Sequence, residues 1–139
     1  MTVSTDAAGL DLGAFLRPGD HIVWGQACGE PTTLVEALIA QAENIGGLSA
    51  FAATSFSGIL DAKAAERLNL SSMGAIGALR TLAATGRLGI VPCHVSQVGP
   101  MIEQGLIGCE AAFVQVSPPN ANGDHSFGLI SDFVQAAVA

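Results

Sequence analysis

The sequence predicts a single α/β domain with an open, mainly parallel sheet that helices cover on both faces. Three observations lead to this prediction. The chain has 139 residues, of which 50% are hydrophobic, enough for one packed core. Short apolar runs alternate with segments of helical periodicity. Glycine and proline fall mainly between these runs, as they do in ordered domains.

The first strand is predicted at residues 21–24, where an apolar run ends at Gly25. Helical spacing follows from Pro31, which suits the first turn of a helix, and it continues up to Gly46. The apolar residues at this spacing are Leu34, Leu38, Ala42 and Ile45. A second, buried strand is predicted at residues 48–53.

The middle of the chain predicts two helices and one strand. A short helix is expected at residues 61–68, between loops that carry serine and asparagine. A second helix is expected at residues 74–85, with Gly86 as its C-terminal cap. The third strand is predicted at residues 88–91, before Pro92.

The last third of the chain predicts helix, strand, loop and helix. Ser96 can cap a helix that runs to about Gln104, because its hydroxyl can accept an amide hydrogen of the first turn. The fourth strand is expected at residues 111–116. A long polar loop follows, and a last apolar helix is expected from about residue 131 to the end, with no closing strand.

Composition and charge disfavour several partners. The formal net charge is −7, so nucleic acid and anionic lipid surfaces are not expected to bind. The mean hydropathy is +0.49, yet no run approaches the roughly 18 apolar residues of a membrane helix. A phosphate-rich ligand would need much of its site elsewhere, since only five side chains are basic: Arg17, Lys63, Arg67, Arg80 and Arg87.

The N-terminus and the cysteines predict a cytoplasmic protein. Residues 1–8 contain no basic residue ahead of an apolar segment, so no signal peptide is expected. The three cysteines Cys28, Cys93 and Cys109 are odd in number and form no CxxC pair. We therefore expect free thiols rather than a disulfide framework or a zinc site.

Ligands of parallel α/β sheets bind at the carboxyl ends of the strands, so the loops there are the candidate site. The loop at residues 25–30 carries two glycines that would let backbone amides approach an anionic or carbonyl oxygen. A tight strand-to-helix turn explains the same residues equally well. The candidate ligand contacts in this loop are Gln26, Ala27, Cys28, Gly29 and Glu30.

Cys28 is also a candidate nucleophile, because a helix N-terminus can lower a thiol pKa. It would need a base, and the sequence places neither His94 nor His125 beside it. The Cys93-His94 pair lacks the further ligands of a metal site, so a packed cysteine and a hydrogen-bonded histidine are favoured and no metal is expected.

The loop at residues 117–128 has two prolines that restrict the backbone as it leaves the strand. Its Asn122-Gly123 pair favours a turn with positive φ. A rigid connection and a wall of a substrate pocket are both compatible with such a loop. Its candidate contacts are Ser117, Pro118, Gly123 and Ser126.

The run at residues 109–119, with Gly123 and the Ser-Phe-Gly of residues 126–128, resembles the signature of the acetyl-CoA hydrolase/transferase N-terminal domain. Shorter pieces agree in order along the chain. They are Pro18-Gly19-Asp20, Gly29-Glu30-Pro31, Arg80 ahead of Gly86, and Val91-Pro92 before Ser96. The resemblance spans residues 16–138 and is weakest at residues 54–72.

This resemblance implies an enzyme of two similar open α/β domains. The family includes acetate, succinate, butyrate and 4-hydroxybutyrate CoA-transferases and acyl-CoA hydrolases. Its catalytic glutamate, which forms acyl-anhydride and glutamyl-CoA thioester intermediates, and its glycine-rich oxyanion segment both belong to the C-terminal domain. None of the six glutamates here lies in a segment that resembles that motif. We therefore expect residues 1–139 to be a single N-terminal domain without the catalytic domain, either truncated or completed by a separate partner chain.

The implied substrates are coenzyme A, as acyl-CoA, and a small carboxylate. The implied partner is the C-terminal domain or subunit, in an oligomer. The loops at residues 25–30, 92–96 and 117–126 would shape the acyl pocket, with His94 and Ser96 as the contacts of the second loop. Two alternatives are a non-catalytic acyl-CoA-binding or regulatory module of the same fold and, less favoured, a sugar-phosphate isomerase or deaminase on a related fold.

Overall fold

The computed structural model describes Asp6 and residues 9–139. Its five strands are β1 (His21–Trp24), β2 (Ser49–Phe51), β3 (Asn69–Ser72), β4 (Gly89–Ile90) and β5 (Ala111–Phe113). Its α-helices are α1 (Thr32–Ile45), α2 (Ala64–Arg67), α3 (Leu79–Ala84), α4 (Val95–Glu103) and α5 (Val134–Ala137). The strands form one sheet in the order β4-β3-β2-β1-β5, and every pair is parallel.

The sheet separates two hydrophobic clusters, as the alternation of side chains along β1 requires. Ile22 and Trp24 belong to one cluster, which α1, α2 and α3 cover. Val23 belongs to the other, which α4 and α5 cover. All three side chains are almost fully buried. The predicted open parallel sheet with helices on both faces is confirmed.

One strand was missing from the prediction, which assigned residues 69–72 to a loop. β3 has a single large apolar residue, Leu70, and its Ser72 is buried. The Ser72 hydroxyl donates to the carbonyl oxygen of Gly74 at 2.9 Å, and it lies 3.4 Å from the carbonyl oxygen of Ala53. Because these bonds satisfy the buried hydroxyl, a polar residue fits inside the sheet.

The predicted helix at residues 74–85 is shortened to α3. Gly77 has φ +64° and forms a parallel β-bridge with Ser55, so the start of the predicted helix, before Leu79, is not helical. The N-cap of α4 is His94, and the predicted cap, Ser96, is wrong. The His94 Nδ1 accepts from the Ser96 amide at 3.3 Å.

Most other elements are shorter than predicted. The strands predicted at 48–53, 88–91 and 111–116 are reduced to β2, β4 and β5, and the helices at 61–68 and 131–139 to α2 and α5. β1 matches its prediction, and α1 ends where expected, with Gly46 at φ +93°. No helix in the described part of the chain is long and apolar enough to cross a membrane.

Candidate functional site

The loops after β1 and β2 are joined at the carboxyl edge of the sheet. The Ala27 amide donates to the Thr54 carbonyl oxygen at 2.8 Å. The Thr54 amide donates in turn to the Gln26 Oε1 at 3.2 Å. Ala27 has φ +51°, the one positive φ among the described non-glycine residues. Long-range hydrogen bonds therefore hold this turn in a conformation that its own residues do not favour.

A buried polar pair joins the same two loops below the surface. The Ser55 hydroxyl donates to Glu30 Oε1 at 2.8 Å, and both residues are buried. The Ser55 carbonyl oxygen accepts from the Ala78 amide at 2.9 Å, which ties in the loop after β3. The carboxyl ends of three adjacent strands are thus connected through Ser55.

The segment before α5 lies against the turn after β1. Ile130 packs so closely on Gly29 that a side chain at Gly29 would displace it. Gly25 has no room for a Cβ because the carbonyl oxygen of Gly29 lies in that position. The Gln26 Nε2 donates to the Asp132 carboxylate. These contacts account for both glycines of the loop as packing requirements.

A cleft of about 230 Å³ opens where the turn after β1 meets the loop after β5. It brings together two of the three loops predicted to form the site. Its lining residues are Cys28, Gly29, Gln115, Val116, Ser117, Phe127, Gly128 and Leu129. Leu129 is 90% exposed at its mouth. A cleft with this mainly apolar wall can enclose a short aliphatic group.

The loop at residues 117–128 holds its shape through its own hydrogen bonds. The Ser117 amide donates to the Ser126 carbonyl oxygen at 2.9 Å, and the Ser126 amide donates to the Ser117 hydroxyl at 3.0 Å. Gly123 has φ +87°, which confirms the predicted turn. Pro118, Gly123 and Ser126 are exposed, and Ser117 is half-buried where it lines the cleft.

The third predicted loop lies at a separate cleft. Ser96 lines a groove of about 370 Å³ between α4 and α5, together with Asp132. His94, which caps α4 by accepting from the Ser96 amide, also has its Nδ1 2.9 Å from the Ser96 hydroxyl. Asp132 lines the groove and also accepts from Gln26, so it connects the groove to the turn after β1.

Sequence reasoning missed the loop after β2. Thr54 and Ser55 hold the turn after β1, and Phe56, 70% exposed, projects at the same edge. The signal available was their position directly after the apolar run that ends at Ala53. Asp132 carried no such signal, because its contact with Gln26 spans 106 residues of sequence.

In the part of the chain that the structure describes, no histidine is hydrogen-bonded to the Cys28 thiol. His125 Nδ1 lies 2.8 Å from the Ser117 carbonyl oxygen, and His94 contacts Ser96. Among the described residues, no group of three histidine, cysteine or acidic side chains could hold a metal ion. All three cysteines are free thiols, and Cys28 is the exposed one.

The third cysteine, Cys109, lies just before β5 and therefore near the amino ends of the strands, away from the candidate site. Burial raises the pKa of the Cys109 thiol, and the neighbouring Glu110 carboxylate raises it further. Hydrogen bonding from the His21 amide lowers the pKa of Glu110, so this carboxylate stays charged beside the thiol. Both effects reduce the thiolate fraction of Cys109.

We therefore expect N-ethylmaleimide to label Cys28 first and Cys109 several-fold more slowly at neutral pH, since the thiolate is the reacting form. Peptide mass spectrometry after timed quenching measures the three rates. The difference should narrow as the pH rises through the raised pKa of Cys109. Equal rates for Cys28 and Cys109 at neutral pH would contradict this order.

Comparison with known proteins places these features in a family. Residues 11–139 match the acetyl-CoA hydrolase/transferase N-terminal domain. A 4-hydroxybutyrate coenzyme A transferase of Clostridium kluyveri is 27% identical over 119 residues, which are 84% of this chain and 28% of the relative. The chain thus spans less than a third of that relative's length.

Two solved structures share the fold. RipA from Yersinia pestis aligns with a TM-score of 0.79 at 23% identity, over 89% of this chain and 32% of RipA. A 4-hydroxybutyrate CoA-transferase from Porphyromonas gingivalis aligns with a TM-score of 0.61 at 27% identity, over 88% of this chain and 27% of that protein. Each alignment covers less than a third of the solved chain.

Proposed function

Because the chain belongs to the acetyl-CoA hydrolase/transferase family, through its N-terminal domain, we propose that it shapes the acyl pocket of an enzyme that moves coenzyme A from an acyl-CoA to a small carboxylate or to water. The observation that carries this proposal is the cleft between the turn after β1 and the loop after β5. It lies at the carboxyl edge of a parallel sheet, where such folds bind ligands.

The proposed chemistry uses a glutamate of a C-terminal domain outside residues 1–139. Its carboxylate attacks the acyl-CoA carbonyl, which forms an acyl-glutamyl anhydride and expels the CoA thiolate. The thiolate then attacks the glutamyl carbonyl, which forms a glutamyl-CoA thioester and releases the acyl carboxylate. An acceptor carboxylate repeats these steps in reverse to leave with CoA, whereas water would hydrolyse the thioester.

The described residues contribute to this proposal by positioning and by excluding water. The apolar wall around Val116, Phe127 and Leu129 keeps water from the thioester, and water exclusion favours transfer over hydrolysis. The turn after β1 faces the acyl group through Gln26, Ala27, Cys28 and Gly29. Ser117 lies on the opposite side of the cleft. We assign Pro118, Gly123 and Ser126 to the outer rim of this cleft. We assign His94 and Ser96 to the groove between α4 and α5, which Asp132 also lines.

The proposal includes a second protein surface over the carboxyl edge. Leu129 and Phe56 are 90% and 70% exposed there. Large apolar side chains at one edge favour a covering partner. We propose that the C-terminal domain or subunit covers them in an oligomeric enzyme. The three free thiols agree with the reducing cytoplasm that the proposal assumes.

The loop after β5 provides a direct test of the pocket. Gly123→Val should cost about 2 kcal/mol of stability, the strain of a β-branched side chain at positive φ, with no added clash because nothing lies within 4 Å of the added Cβ. Acyl transfer by the assembled enzyme should fall much further, since the proposal assigns the new side chain to the cleft rim. Initial rates with butyryl-CoA and a melting curve are measured on the same preparation.

Gly86→Val is the matched control, because Gly86 has φ +70°, equally open surroundings and a place at the opposite edge of the sheet. It should show the same loss of stability with unchanged turnover. If the activity of both variants falls only in proportion to folded protein, the loop has a structural role alone. The proposal that it forms part of the pocket would then be wrong.

A further inference from the structure

Two of the three buried polar residues in the described part of the chain bind each other. Glu30 is 5% exposed and Ser55 is 1% exposed, and the third residue is Ser72 in β3. The Ser55 hydroxyl donates to Glu30 Oε1 at 2.8 Å. This pair joins two loops and lies outside the hydrogen-bonded strands, so the burial of its polar groups has to be explained.

A buried carboxylate is unfavourable unless hydrogen bonds or a local field stabilise it. Here the Ser55 hydroxyl supplies a hydrogen bond to the carboxylate. Glu30 also lies two residues before α1, and the N-terminal end of a helix favours a negative charge nearby. The Thr32 amide, at the start of α1, donates to the Glu30 carbonyl oxygen at 2.9 Å. An apolar pair of similar size would fill this space without the cost of burying a carboxylate, so stability alone does not explain Glu30.

The main chain next to the pair connects the turn after β1, part of which lines the cleft, to the loops after β2 and β3. Thr54, next to Ser55, accepts from the Ala27 amide, and Ala27 has positive φ. The Ser55 carbonyl oxygen accepts from Ala78. Phe56 follows and projects from the edge. The pair therefore fixes the relative position of the turn after β1 and the exposed residue after β2.

We propose that Glu30 and Ser55 are positioning residues that hold the turn at residues 26–29 in the shape the acyl pocket needs. The link to the acyl pocket rests on the proposed function. Neither side chain is exposed enough to meet a ligand itself. Their effect passes through the hydrogen bond between Ala27 and Thr54.

Backbone amide exchange of the full chain tests the pairing without an activity assay. Ser55→Ala removes the buried donor, so exchange of the Ala27 amide should accelerate about tenfold, the effect of losing one hydrogen bond to a charged group. Ser72→Ala is the matched control, since Ser72 is also a fully buried serine, but its hydroxyl bonds only to the backbone of Ala53 and Gly74 and not to the turn after β1. It should leave the exchange of residues 25–30 unchanged.

Glu30→Gln keeps an acceptor for the Ser55 hydroxyl and should retain most of the native exchange protection, whereas Glu30→Ala should resemble Ser55→Ala. In the assembled enzyme, Ser55→Ala should lower kcat about tenfold with KM for acyl-CoA changed less than about twofold, whereas Glu30→Gln should retain most of the native kcat.

Equal acceleration in Ser55→Ala and Ser72→Ala would overturn the proposal, because the effect would then be general loss of stability. Equal loss of protection in Glu30→Gln and Glu30→Ala would also overturn it. If the exchange pattern is as expected but the native enzyme never transfers an acyl group, the proposed function fails and the pairing stands.

Discussion

Replacing Gly77 with alanine is expected to lower the free energy of unfolding by about 2–4 kcal/mol, from overpacking and from a side chain at positive φ. A Cβ at this position would overlap the carbonyl oxygen of Ser55 and lie 3.1 Å from Cδ1 of Phe56. The overlapping atom is backbone, so no side-chain rotation can relieve it. The clash separates the loops after β2 and β3, which Ser55 and Gly77 join.

A thermal melt should therefore show a midpoint roughly 10 °C lower for Gly77→Ala. Gly86→Ala is the control, because Gly86 has φ +70° with no atom within 4 Å of an added Cβ. It should cost about 1 kcal/mol, from backbone strain alone. Equal midpoints for the two variants would show that the contact between Ser55 and Gly77 is absent in solution.

The parts of the fold that could be predicted are those with strong local signals. β1 is an uninterrupted apolar run before a glycine, and α1 has apolar residues at helical spacing with Gly46 in a conformation that ends it. β3 has no such signal, because Leu70 is its only large apolar residue. Its buried Ser72 is stabilised by carbonyl groups of neighbouring segments, which no local pattern reveals.

The candidate site was predicted in part for the same reason. The turn at Gly123 carries a local signal, and the structure shows its positive φ. Gly25 and Gly29 are explained by packing, and the ligand contacts predicted in their loop stay a prediction. Ser55 and Asp132 reach the site through hydrogen bonds that span 25 and 106 residues. Which loops meet depends on the strand order, with β2 and β5 flanking β1, and that order is a property of the whole sheet.

The second large effect follows from the proposal that the catalytic glutamate belongs to a C-terminal domain. In this proposal, residues 1–139 supply pocket walls and positioning contacts, and the nucleophile lies on a C-terminal domain. The isolated chain should therefore give no measurable loss of thioester from acetyl-, succinyl- or butyryl-CoA. Removing a nucleophile costs on the order of 10⁴-fold or more in rate, because the remaining binding groups cannot replace it. An acyl-CoA-binding module without catalysis would bind these compounds and stay inactive even beside a C-terminal domain.

The most direct measurement is to map the covalent coenzyme A adduct by mass spectrometry after mixing acyl-CoA with residues 1–139 and a family C-terminal domain. We expect thioester turnover only in the mixture, and a hydroxylamine-sensitive adduct on a glutamate of the C-terminal domain. Turnover by residues 1–139 alone that is lost in Cys28→Ala, or an adduct on any of their six glutamates, would contradict the account.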